Sequence, residues 1–279
     1  MTLSTTVKAH GAGWRVAEVQ CTAGPRAPVQ EEQHADICVA VVLSGSFRYR
    51  SPEGTATLVP GAMLLGNAGA CFACGHEHST GDRCLAFHFD PACFEEILAA
   101  TPGVQRLAFA HPALPPLPGM ARLIASAEAA AEEGALEEVA VELAAAAAST
   151  ATGAPRRSAP DLRHAGRIAE IARWIEADIS RPLPLNLLAR EAGLSRFHFL
   201  RAFRNLLGIT PHQFVLHQRL RKAALRLRRS DDAVLTVALD SGFADLSEFN
   251  RRFRRLFGMA PTAFRRLRRP GARGAASPR

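Results

Sequence analysis

Several features are scarce in this 279-residue chain, and each scarcity excludes something. No apolar run approaches the roughly 18–20 residues of a bilayer-spanning helix, so a membrane anchor of that kind is excluded. Residues 1–20 lack the charged-then-apolar layout of an export signal, and a cytoplasmic location is expected. Six cysteines in a cytoplasmic setting argue against a disulfide framework. Negative charge is short in one half only. Residues 156–279 hold 10 Asp+Glu against 26 Lys+Arg, a net +16, whereas residues 1–155 hold 16 against 8, a net −8. A basic half of that strength points to a polyanion, most simply nucleic acid. The length suggests two domains.

What is present is a repeat. Phe199, Arg201, Phe203, Arg204, Gly208, Pro211 and Phe214 recur fifty residues later as Phe249, Arg251, Phe253, Arg254, Gly258, Pro261 and Phe264. Upstream, Ala189/Ala238 and Gly193/Gly242 match at a shift of 49, so one extra residue sits in a turn of the second copy. Each copy parses as helix, tight turn, helix. Residues 187–192 form a short helix, Gly193 makes the turn, and Ser195 caps a helix to about Leu207. The second copy predicts helices over 234–241 and from about Ser247 to Phe257. This is the helix-turn-helix layout, whose second helix enters the DNA major groove. Helical spacing puts the phenylalanines on a core face. The other face carries Ser195, Arg196, Phe197, Leu200, Arg201 and Arg204 in the first copy, and Leu246, Ser247, Asn250, Arg251 and Arg254 in the second. Arginine pairs with guanine edges or phosphates, and asparagine reads adenine. A long arginine-rich helix over 211–229 joins the units, and reading helices about one DNA turn apart, roughly 34 Å, would meet successive major grooves.

Ahead of the repeat, residues 36–89 read as short strands cut by glycine and proline, the pattern of a small sandwich or barrel. A first strand is expected over 14–20. A short helix starts at Pro91, residues 101–119 are irregular, and helices follow over 120–133 and 135–150. That pair is either a dimerisation surface or a lid on its own barrel. Residues 151–160 read as a linker, after which Asp161 caps a helix to about Ile179.

Residues 162–268 resemble the C-terminal DNA-binding domain of the AraC/XylS family of bacterial transcription regulators. The resemblance rests on the paired Gly208–Phe214 and Gly258–Phe264 segments, on Ala238-x-x-x-Gly242-Phe243, and on Phe249-x-Arg251-x-Phe253. It implies seven helices and two units that read an asymmetric site through Arg196, Phe197, Leu200, Arg201, Leu246, Ser247, Asn250 and Arg251. Phe197 and Leu200 are apolar, so the first helix would read thymine methyls and shape. Leu43-x-Gly45-x-Phe47 with Leu58-x-Pro60-Gly61-x-Met63 is similar to the cupin-like jelly roll, with Ala62 at a position usually acidic.

Residues 71–78 concentrate Cys71, Cys74, His76 and His78, with Cys84 and His88 after them and His34 and Cys38 before. Strand parity would point Cys74, His76 and His78 together. Three readings stay open: a site for zinc or another soft or borderline divalent metal, a pocket for a small organic effector, and buried structural cysteines. Near residue 34 the cupin metal pattern of a His-x-His followed by a spaced Glu is missing, and His34 stands alone.

The expectation is therefore a regulator rather than an enzyme. Residues 1–150 form a β-rich, cupin-like domain with a helical pair that binds an effector or metal and dimerises. Residues 151–160 link it to an all-α domain, 161–269, with two helix-turn-helix units, and 270–279 form a flexible tail. Promoter DNA, a second copy and RNA polymerase are the expected partners. The rivals are a cupin-type metalloenzyme docked to nucleic acid by its basic part, and a non-specific nucleoid-type binder.

Overall fold

The computed structural model describes residues 3–25, 27–76, 81–101, 104, 108–133, 136–153 and 164–266. Ten strands come first. They are β1 (Leu3–Gly11), β2 (Trp14–Cys21), β3 (Glu31–Gln33), β4 (Ile37–Gly45), β5 (Phe47–Ser51), β6 (Gly54–Leu58), β7 (Met63–Gly66), β8 (Cys71–Gly75), β9 (Asp82–Phe89) and β10 (Ala113–Leu114). They form a six-stranded sheet, β1-β2-β9-β4-β7-β10, and a four-stranded sheet, β3-β8-β5-β6. Within them β2 pairs with β9, β3 with β8, β4 with β7 and β5 with β6, all antiparallel. That nesting is one long hairpin rolled across two sheets, which is a jelly roll.

The central strand β4 shows why the sequence reads as nearly continuous apolar residues. Ile37, Val39, Val41 and Leu43 join one core cluster, and Cys38, Ala40 and Val42 join another. Alternate residues face opposite sides of a sheet, and here both sides are covered. The first set packs under three helices, α1 (Pro91–Ala99), α2 (Pro118–Glu133) and α3 (Glu137–Gly153). The second set faces the other sheet. Strands β1 and β3 went unread because their residues are almost all exposed, so no apolar alternation marks them. Helix α3 runs three residues into the expected linker, whose remainder lies outside the described residues, as does Asp161.

Seven helices follow among the described residues: α4 (Ala165–Ala177), α5 (Leu185–Glu191), α6 (Arg196–Leu207), α7 (Pro211–Arg229), α8 (Val234–Asp240), α9 (Leu246–Phe257) and α10 (Pro261–Arg266). They do not stand apart from the strands. Phe199, Phe203 and Phe214 belong to the same buried cluster as Phe47, Leu58 and Val59. Ala121 and Ala125 of α2 join the cluster of Phe249, Phe253 and Phe264. The apolar face of α2 and α3 is thus spent within the chain, on the sheet and on the second helix-turn-helix unit.

Two polar contacts pin α7 to the strand-bearing half. Gln218 is buried and donates to the Pro60 carbonyl at 2.9 Å. Arg221 forms a bidentate pair with Glu128 of α2, with Nε to Oε2 at 3.0 Å, and both side chains are largely shielded from solvent. Glu176 of α4 lies nearby, and burial pushes its carboxyl up to about 7 despite the opposing pull of Arg221 and Arg173.

Removing one member of a buried pair strands the other charge. Glu128→Ala is therefore expected to cost about 3–5 kcal/mol in chemical denaturation, whereas replacing Glu128 and Arg221 together by leucine recovers most of it. Glu176 generates a pH prediction. Its folded-state value lies above the 4.5 of an exposed carboxyl, so the folded chain binds the extra proton. Stability then falls as pH rises from about 4.5 to about 7. Melting curves of Glu176→Gln should lose that decline and sit above the parent at pH 8.

Candidate nucleic-acid interface and effector cavity

The two copies of the repeat build two units with matching cores. In the first, Ser195 caps α6 by accepting from the His198 N–H at 3.3 Å. Phe199, Phe203, Leu206 and Leu207 are buried, and the Phe203 ring meets Phe214 edge-on at 5.7 Å. In the second, Asp245 caps α9 by accepting from the Glu248 N–H at 2.7 Å. Phe249, Phe253, Leu256 and Phe257 are buried, and Phe253 meets Phe264 edge-on at 5.4 Å. The expected start at Ser247 is therefore one residue late. The fifty-residue shift already paired Ser195 with Asp245, and both are good N-caps.

The outward faces differ. On α6, Arg196, Phe197, Arg201 and Arg204 are exposed and Leu200 is half-buried. Phe197 is 81% exposed, an unusual place for a phenylalanine with no work to do in the core. On α9, Ser247, Arg251 and Arg254 are exposed, Asn250 is half-buried, and Leu246 packs against the core of its own unit. The first face thus carries an apolar prow flanked by arginines, and the second a polar one.

The connector α7 is less available than its charge suggested. Arg219 donates to the carbonyls of Ile179, Arg181 and Gly242, each at 2.7 Å. Arg221 is held by Glu128, and Arg226 is paired with Asp232 at 2.6 Å and Asp240 at 2.5 Å. Arg219, Arg221 and Arg226 thus all have partners within the protein. Arg219 ties the α4–α5 loop to the turn of the second unit, a role that no spacing in the sequence signals.

A cavity of about 360 Å³ opens between the two sheets. His34, Cys38, Cys74, His76, Cys84 and His88 all line it. Cys71 is exposed and is not among the lining residues, and its neighbours Phe72 and Cys74 are. Parity puts it on the opposite face of β8. His78 lies outside the described residues. His34 is already engaged: its Nε2 is 2.9 Å from the Tyr49 hydroxyl and its ring stacks on Phe72 at 4.0 Å. Burial pushes His34 down to about 4 and lowers His88, so both are neutral near pH 7. Burial also pushes the Cys38 thiol up to about 12 and raises those of Cys74 and Cys84. The walls are otherwise mainly apolar, from Ala17, Val19, Ala40, Phe47, Leu64 and Ala86. Among the lining residues that the sequence did not single out are Cys21 and Asp82. Neither belongs to the dense Cys/His run, and only the strand register brings them to it.

The turn of the second unit supplies a test of this geometry. Gly242 has φ +87, and a Cβ there would lie 2.8 Å from the Ser180 carbonyl and 2.9 Å from Arg219 Nε. Gly242→Ala is expected to destabilise the chain by more than about 1 kcal/mol, since it combines an incompatible φ with a clash. Gly119→Ala, with open space around the position, should cost far less in the same denaturation series.

Known proteins resemble the chain over this region. The profile of a helix-turn-helix domain family matches residues 188–267. The transposon Tn10 TetD protein of Escherichia coli is 33% identical over 103 residues, covering 37% of this chain and 75% of that one. The regulatory protein SoxS of Escherichia coli strain K12 is 30% identical over 104 residues, covering 37% of this chain and 97% of that one. Among solved structures, the DNA-binding domain of AdpA in complex with a target DNA is 35% identical, covers 38% of this chain and 97% of that one, and superposes with a TM-score of 0.36. No described helix is long and apolar enough to cross a membrane. Two capped helix-turn-helix units with arginine-bearing outer faces, the family profile across them and relatives matched over most of their length lead to one conclusion: the chain belongs to the AraC/XylS family of DNA-binding transcription regulators.

Proposed function

We propose that this regulator binds an asymmetric promoter site through α6 and α9, and that a small effector in the cavity between the sheets controls that binding. The observation that carries the reading is the cavity itself. At about 360 Å³ it falls in the range of small-molecule sites, with apolar walls and a few converging polar groups. Its sheets share one buried cluster with α4, α6 and α7, so a change of strand packing on binding has a direct path to the first reading unit.

On the DNA side, Arg196, Arg201, Arg251 and Arg254 supply charge and guanine-edge donors, and Ser247 and Asn250 supply polar readers. Phe197 meets the thymine methyls or the sugar edges that an apolar ring prefers. The connector would add little direct contact from Arg219 or Arg221, which are held by carbonyls and by Glu128, and Arg226 is paired at the surface with Asp232 and Asp240. Two copies could bind adjacent sites. The buried face of α2 and α3 is not free to join them, so a dimer would use other surface, and RNA polymerase contacts would also fall outside it. Two of the expected ligands lend the metalloenzyme alternative no support. His34 is engaged by Tyr49 and Phe72, and Cys71 lies away from the cavity.

A duplex selected from a random pool provides the test. Arg251→Ala is expected to lose about 1–3 kcal/mol of affinity for the selected duplex and much less for random duplex. Equal losses would reduce Arg251 to a phosphate contact. Ligands found by thermal shift should alter the parent's affinity for the selected duplex. Ala86→Phe, which fills the cavity, should abolish that response and leave ligand-free binding in place.

A further inference from the structure

One corner of the cavity is unlike its apolar walls. Where β2 ends and β9 begins, Cys21, His76 and Asp82 bring a sulfur, an imidazole nitrogen and a carboxylate oxygen within 4.8 Å of one another. Cys21 and Asp82 are direct cross-strand partners in the β2–β9 ladder, and both line the cavity. His76 directly follows β8 on the facing sheet. Its Nε2 lies 2.5 Å from one Asp82 oxygen, and the other oxygen accepts from the Cys84 thiol at 3.2 Å. The Cys21 sulfur accepts the Ala23 N–H at 3.4 Å. The His76 and Asp82 side chains are 4% and 8% exposed.

The backbone holds these groups in place. A Cβ on Gly81 would lie 2.5 Å from the Cys21 carbonyl, and one on Gly45 would lie 2.3 Å from the Gly81 carbonyl. Strand ends pressed this closely leave little backbone freedom at Cys21 and Asp82, so the two side chains start from fixed positions.

We propose that Cys21, His76 and Asp82 form a binding site for a zinc-type divalent cation at one end of the cavity, with a fourth position facing the cavity interior. A sulfur, an imidazole and one carboxylate suit zinc or a similar borderline ion. Magnesium and calcium prefer all-oxygen shells. Zinc takes these donors at about 2.0–2.3 Å, which in a tetrahedron separates neighbouring donor atoms by about 3.3 Å or more. The Asp82 side chain must therefore swing off His76 by somewhat under an ångström. The Cys21 thiol loses its proton to solvent as the metal–sulfur bond forms. The set shares only His76 with the Cys/His run that the sequence highlights, and it is not the His-x-His pattern of a cupin metal site. The proposal deepens the reading of the cavity as the effector site, and it rests on that reading only for the consequence to DNA binding.

The test uses the full-length chain, freed of metal with a chelator and titrated with cobalt(II) as a spectroscopic stand-in for zinc. One equivalent is expected to bind, with a thiolate-to-cobalt charge-transfer band and tetrahedral visible bands, and zinc should displace it. Cys21→Ser should lose the charge-transfer band and weaken binding at least about tenfold, whereas Cys71→Ser should leave both unchanged. Where Cys21→Ser fails to fold by circular dichroism, Asp82→Asn carries the same affinity test with nearly the same shape. Substoichiometric binding by the parent, or an undiminished thiolate band in Cys21→Ser, overturns the site. Either result leaves the organic-effector response of the parent intact, so the two readings fail separately. A bound ion that leaves affinity for the selected duplex unchanged supports the site and removes its regulatory consequence.

Discussion

A buried guanidinium is tolerated only when its charge and its donors are answered, and α7 carries two that are. Arg221 is answered by Glu128 across the boundary between the strand-bearing half and the DNA-binding half. Arg219 is answered by three carbonyls, from the α4–α5 loop and from the turn of the second unit. Each bond constrains a different relationship. The first sets α7 against α2, and the second sets one helix-turn-helix unit against the other. With Gln218 on the Pro60 carbonyl, α7 becomes a strut that three parts of the chain share. Such pairs contribute little net stability compared with apolar packing, but they penalise any arrangement that breaks them.

On that strut sit two units with nearly identical interiors and unlike exteriors. The interiors repeat because phenylalanine packing sets the angle between the two helices, and that angle is what a major groove demands. The exteriors are free of that constraint. Position by position, Arg196 is replaced by Leu246, Phe197 by Ser247 and Leu200 by Asn250, while Arg201 and Arg204 recur as Arg251 and Arg254. The recurring arginines supply charge to both units, and the differing positions give the two units unlike outer surfaces.

The other half answers a different constraint. A jelly roll has two inner faces, and here they do not fill the space between them. The apolar walls and neutral imidazoles suit an organic guest. The corner of Cys21, His76 and Asp82 has the donor set of a metal site. Both lie in a body whose buried cluster is continuous with the first helix-turn-helix unit.

Much of this was legible in the amino-acid order. The repeat and the charge split are read directly off the residue order, and the cap at Ser195 depends on neighbours a few residues apart; the cap at Asp245 came only with the structure, one residue ahead of the expected start. The strands β4 and β9 announced themselves because both of their faces are buried. Strands β1 and β3 did not, because exposed edges leave no apolar pattern. The cavity was half legible: parity along single strands grouped Cys74 with His76, Cys84 with His88 and His34 with Cys38, but it could not pair Cys21 with Asp82, which lie 61 residues apart. What the sequence by itself determined was the pair of reading helices and their family. What only the tertiary structure decided was which charges are free to meet DNA and which are consumed inside, because pairing Arg221 with Glu128, or Arg219 with three distant carbonyls, depends on strand register and helix docking that no local pattern encodes.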